Sequence, residues 1–213
     1  MLVRYSKIGY WLLLMVYSQQ VVTAQSAKFT KQFQLIDLPD TMHIEIDQYA
    51  TRTDTIPSEE FFKQIPQRLL HDIDHIADPE TAVVLGKEYF KLDDSTFVYW
   101  VEIHQSWFQN HSLFIYNSEQ NKFTDRITVA ELYGGDGGQS LFGSWIFDFD
   151  GDKKPDIVRQ HVEYYVIPKE DDVETVQEKS AELLLWRNGH FELQANSNEQ
   201  DLIKRFPVKS FWD

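Results

Sequence analysis

The stretch Asp148-Phe149-Asp150-Gly151-Asp152-Lys153-Lys154-Pro155-Asp156-Ile157-Val158 decides how this chain is read. Counted from Asp148, acids stand at positions 1, 3, 5 and 9. Hard cations such as Ca²⁺ take about six to eight oxygen ligands, and alternating carboxylates let one tight loop supply them. Crowded carboxylates repel one another unless a cation or open water compensates. An EF-hand needs Gly at position 6 and Glu at position 12, between helices. Here those positions hold Lys153 and Arg159, and the flanks are aromatic and apolar. A strand-loop-strand site fits instead. The side chains of Asp148, Asp150, Asp152 and Asp156 and the backbone carbonyl of Lys154 are its expected ligands, Ca²⁺ its expected ion, and Ile157 its anchor in the core. The plainer reading is an acidic turn without metal, since Asp and Gly are common turn residues.

Working outward, Trp145 and Phe147 alternate into the loop, and residues 157–167 leave it as a strand closed by Pro168. Phe97, Tyr99, Val101 and Ile103 fall on one face of a strand, with Val98, Trp100, Glu102 and His104 on the other. Residues 113–116 and 123–132 read as strands joined by a polar turn. Residues 181–187 and 190–193 form a hairpin about Asn188-Gly189, the strongest turn signal in the chain. Gly86-Lys87 reads as a tight turn between strands 81–85 and 88–92. Ser58 is the expected N-cap of a short helix that Pro66 limits, with a further turn or two over 67–76. A second short helix is expected over 200–206. Residues 133–140 read as a mobile Gly-rich loop, and 169–180 as an exposed acidic segment. The fold class that follows is mainly β: antiparallel hairpins in a propeller-like or truncated-propeller arrangement, with one or two short helices.

The loop resembles the calcium loop of FG-GAP and VCBS-type β-propeller repeats, whose pattern is approximately DxDGDGxxDL. All four acidic positions match, as do Gly151 and the apolar Ile157. Lys153 departs from the family's Gly, and if that position needs positive φ, Lys holds it with some strain. Phe142-Gly143 is similar to the FG element, whereas Arg159-Gln160-His161 stands where the GAP end would be. The resemblance covers residues 141–165 as a single copy and implies a calcium-bound β-repeat. By architecture and compartment the chain also resembles truncated-propeller periplasmic inhibitors of lysozyme and related immunity proteins, although no residue motif carries that likeness.

The compartment is read from the ends. Arg4 and Lys7 precede an apolar run, and Val22-Thr23-Ala24 offers a small-x-small cleavage pattern, so residues 1–24 are expected to be a cleaved signal peptide. Residues 25–213, about 189 in number, fit one β-rich domain carrying the loop at 148–156. No later segment is apolar enough to cross a bilayer as a helix. The chain has no cysteine, which excludes disulfides and cysteine catalysis. Acids outnumber Lys and Arg by 34 to 20, a balance that argues against nucleic acid and favours cations or a basic protein partner.

Other chemistry is sparse. His71 and His75 have helical zinc spacing but no obvious third ligand. His104, His111 and His161 could meet in space with an acid. Trp107-Phe108 is the best candidate for an exposed binding pair. The function expected is an exported, calcium-binding, non-catalytic binding or inhibitor module of the periplasm or cell exterior. The alternative is a secreted hydrolase using carboxylates or histidines, which a deep pocket holding two carboxylates away from 148–156 would favour.

Overall fold

Period-two patterning carries most of this chain into strands. The computed structural model describes residues 31–46, 55–73, 77–135, 137–170 and 172–209. The expected signal peptide, His75, Asp136 and Phe211-Trp212 lie outside the described residues. Strands β1 (Gln34–Leu35), β2 (Thr41–Ile44) and β3 (Thr55–Ile56) are followed by helix α1 (Ser58–Gln64) and a 3₁₀ turn (Gln67–Leu69). Eight strands come next: β4 (Val83–Lys91), β5 (Thr96–Gln105), β6 (Phe108–Asn117), β7 (Lys122–Gly135), β8 (Gly138–Phe147), β9 (Asp156–Pro168), β10 (Val173–Arg187) and β11 (His190–Leu193). Helix α2 (Glu199–Arg205) follows. The protein is mostly β, as expected, and its many-stranded sheet does not close into a barrel.

From β4 to β11 each strand pairs antiparallel with the next. The pairing of β7 with β8 is brief, from Glu131↔Phe142 to Gly135↔Gly138. Beyond it β8 takes β2 as its neighbour over Ser144–Phe147. The sheet thus divides into two four-stranded meanders, β4–β7 and β8–β11, an arrangement consistent with a truncated propeller.

Alternation along the strands fills three cores. Tyr99, Val101 and Ile103 of β5 join Phe61, Leu70 and Phe114 under α1 and the 3₁₀ turn. Val98 on the opposite face joins Leu113, Ile146, Ile157 and Trp186, so the middle core draws on both meanders. Val158 and Leu183 meet Leu202 of α2 on the far side. Burying such side chains contributes about 1.5–3 kcal/mol each.

Several local expectations change. Gly86-Lys87 is no turn: β4 runs through it with a register shift between Gly86 and Tyr89. A Cβ at Gly86 would stand 3.0 Å from Ile56 and 3.2 Å from the Gln32 carbonyl, so this glycine serves close approach of the N-terminal segment. Pro57, not Ser58, occupies the N-cap of α1, and the Ser58 hydroxyl donates to the Pro79 carbonyl. The Gly-rich stretch closes a short hairpin, with β7 ending at Gly135 and β8 starting at Gly138. The acidic segment is exposed, as read, and is largely strand: from Val173 it pairs with β9 up to Leu184, while β11 meets only Leu184–Arg187. The Asn188-Gly189 turn forms as read, with both residues at positive φ, which suits a two-residue hairpin.

Candidate functional site

The acidic loop joins the end of β8 to the start of β9, and its carboxylates order it from within. Asp148 accepts from the Gly151 N–H at 2.7 Å and the Lys153 N–H at 3.0 Å. Asp150 accepts from the Asp152 N–H at 3.2 Å, and Asp152 from the Lys154 N–H at 2.8 Å. These bonds wind the chain so that Gly151 takes φ 85° and Lys153 φ 67°. Asp156 is buried and ties the loop to the sheet. Its Oδ2 accepts from the Phe149 N–H at 3.0 Å, and its Oδ1 from the Trp186 N–H of β10 at 2.9 Å. Ile157 beside it is fully buried in the middle core, as expected.

Three of the four expected carboxylates converge. One oxygen each from Asp148, Asp150 and Asp156 lies within 4.8 Å of the others, a group able to hold a metal ion. Asp152 stands outside that group and pairs instead with Arg187, whose Nη1 is 3.0 Å from its Oδ2. Arg187 also pairs with Asp150 and holds that carboxyl below its ordinary value. Burial pushes the Asp156 carboxyl up, against the two N–H groups that favour its ionised form. Lys154 is exposed and lines a surface groove with Asp148 and Lys153. Arg187 was not legible in the sequence as part of the loop, because only the β9–β10 pairing brings it there.

A second candidate is a cleft of about 670 Å³ where β7 parts from the second meander. Asp72, Glu131, Arg159, His161, Glu182 and Glu199 line it. Arg126 pairs with Asp72, and Arg159 with Glu182. Arg159 also donates to the Thr128 carbonyl at 2.9 Å and lies over the Phe142 ring, 5.2 Å from its centre. Burial raises the Glu131 carboxyl above its ordinary value, although Asn110 donates to it at 2.7 Å. His161 Nε2 lies 2.6 Å from the Ser140 hydroxyl, with Glu163 3.9 Å from its Nδ1. The pieces come from segments more than a hundred residues apart, and no motif announced them.

Of the three histidines weighed together, His104 and His111 do meet, with Glu102 between them; His161 lies apart in the cleft. Burial alone would raise the Glu102 carboxyl, yet its bond with His104 and the nearby His111 and Lys87 hold it down at about 2. Burial pushes His111 down to about 4. Of the expected binding pair, Trp107 is 73% exposed and Phe108 is buried. His71 is exposed. Among the described residues no helix is long and apolar enough to cross a membrane. No family model, curated protein or solved structure matches the chain.

Proposed function

We propose that this protein is an exported, calcium-stapled binding module, non-catalytic, that engages a basic protein partner. The observation that carries the reading is the convergence of Asp148, Asp150 and Asp156 in a strand-loop-strand setting. Ca²⁺ suits an all-oxygen donor set, and the Lys154 carbonyl would add to it. The likeness to FG-GAP and VCBS loops and the signal-like first 24 residues support calcium and export. The acidic balance of the chain and the carboxylates around the cleft support a cationic partner segment seated there. The same carboxylates are engaged as acceptors: Asp72 by Arg126, Glu182 by Arg159, Glu131 by Asn110 and Glu199 by the Ala181 N–H. That engagement suits a preformed docking surface better than a pair of free catalytic acids.

Melting curves of EDTA-stripped protein test the staple. For a dissociation constant of about 10⁻⁴–10⁻³ M, about 10 mM Ca²⁺ stabilises by about 1.4–2.7 kcal/mol. That is a rise of roughly 3–10 °C in a protein of this size. Asp148→Asn with Asp150→Asn is expected to abolish the rise. No response in the unaltered protein would sink the calcium reading.

The cleft favours a second reading, a secreted hydrolase, because it holds two or more carboxylates away from the loop together with the Ser140–His161 contact. A close hydroxyl–imidazole pair is the geometry of an activated nucleophile. Turnover of ester and glycoside substrates separates the two. The binding module shows none above background, whereas activity lost in Ser140→Ala or Glu131→Gln would establish the hydrolase instead.

A further inference from the structure

Apart from the loop and the cleft, β5 and β6 bring three ligand-type side chains together inside the protein. Glu102 and His104 stand two residues apart on one face of β5, and His111 of β6 lies directly across from Glu102. All three side chains are 6–7% exposed. One ring nitrogen from each histidine and one carboxylate oxygen lie within 4.8 Å of one another. His104 Nε2 is 3.3 Å from Glu102 Oε2, and His111 Nδ1 is 3.6 Å from Oε1. Two ligands on a tetrahedral ion with bonds of about 2.0–2.2 Å stand about 3.4 Å apart. The spacing across the cluster is therefore close to a coordination edge.

A second observation points the same way. His111 Nδ1 is buried, faces Glu102 and makes no hydrogen bond; His104 Nδ1 and Trp100 Nε1 beside it also make none. A buried polar atom without a partner is costly, and three in one spot are unusual for a native core. A metal bond at His111 Nδ1 removes one such cost directly. The cluster also carries its own cation. Lys87 Nζ lies 3.4 Å from Glu102 Oε1 and 5.9 Å from the centre of the Trp100 ring. The Lys87 side chain is 38% exposed, so it marks the solvent side of the cluster, and its flexible stem can carry the ammonium into water.

We infer that Glu102, His104 and His111 form a binding site for a first-row divalent transition ion of the zinc class, and that Lys87 is the cation the ion displaces. Two imidazoles and a carboxylate are a donor set that suits zinc and its neighbours, whereas the all-carboxylate loop suits calcium. The two sites are therefore separable by metal.

The test is titration of EDTA-stripped full-length protein with Co²⁺, followed by its visible absorption, and then with Zn²⁺. The expected result is one Co²⁺ per chain with the strong bands of a four- or five-coordinate ion, bleached by Zn²⁺ and unchanged in the Asp148→Asn/Asp150→Asn variant. His104→Gln with His111→Gln removes the bands. Because that core substitution could unfold the sheet, Lys87→Ala at the surface carries an independent arm, and it binds Zn²⁺ several-fold more tightly. A spectrum of merely hydrated Co²⁺, bands that survive loss of both histidines, or weaker Zn²⁺ binding in Lys87→Ala would each overturn the site.

Discussion

Glu131 faces the cleft with its carboxyl raised by burial, and the sign of that shift fixes how it responds to pH. A carboxyl that holds its proton more tightly in the folded state than in the unfolded chain costs stability once ionised. The cost is absent below the ordinary carboxylate value of 4.5, grows as pH rises through the raised value, and is then constant. Glu131→Gln keeps an acceptor for Asn110 and removes the charge. The variant is expected to melt above the parent at about pH 7–8 and level with it near about pH 4. A neutral-pH melting point below the parent's would show that Arg126 and Arg159 outweigh the burial. At this scale the sequence was legible where converging carboxylates share one loop, as those of Asp148, Asp150 and Asp156 do. Pairing Glu102 and His104 was also within reach, since they sit two residues apart on one strand. The register that sets His111 opposite Glu102 was not, because it depends on the tight turn at Ser106-Trp107, where Ser106 takes φ 52°.

The acidic loop is the element in which sequence and conformation disagree most. Lys153 holds φ 67°, in the left-handed region that costs a side-chain-bearing residue about 1–2 kcal/mol. Glycine avoids that cost but loses more chain entropy on folding, about 0.5–1 kcal/mol. Lys153→Gly is therefore expected to stabilise by about 0.5–1 kcal/mol, or about 1–4 °C in melting temperature. It also removes a positive charge beside the carboxylates, so Ca²⁺ binding measured by calorimetry is expected to tighten. A lower melting point in the absence of metal would mean that the Lys153 side chain makes a contact worth more than the strain. Elements marked by turn chemistry were legible in this way, as the Asn188-Gly189 hairpin shows. Gly86 was misread because a glycine kept for close approach and a glycine kept for a turn are identical in sequence. Only the packing of Ile56 and Gln32 against it separates the two.

Across the whole molecule, the mainly β class and both short helices followed from alternation and punctuation. The division of the sheet into two meanders did not. It arises because β7 turns from β8 after five paired residues and leaves Ser144–Phe147 to β2, a partner about a hundred positions earlier in the chain. Long-range pairing of that kind leaves no local trace, and the cleft exists because of it. One further property follows from the unequal pairing of β10, which β9 covers up to Leu184 and β11 meets only over the last four residues. A long sheet edge is a template on which a second molecule could extend the ladder and begin to aggregate. Along this edge Glu174, Glu178 and Glu182 recur at every fourth residue and are joined by Lys179. Two such edges brought together would have to strip water from Glu178 and Lys179 and from the ion pairs that Glu174 makes with Lys169 and Glu182 with Arg159. The charged edge of β10 thus works against edge-to-edge pairing of two copies of this chain.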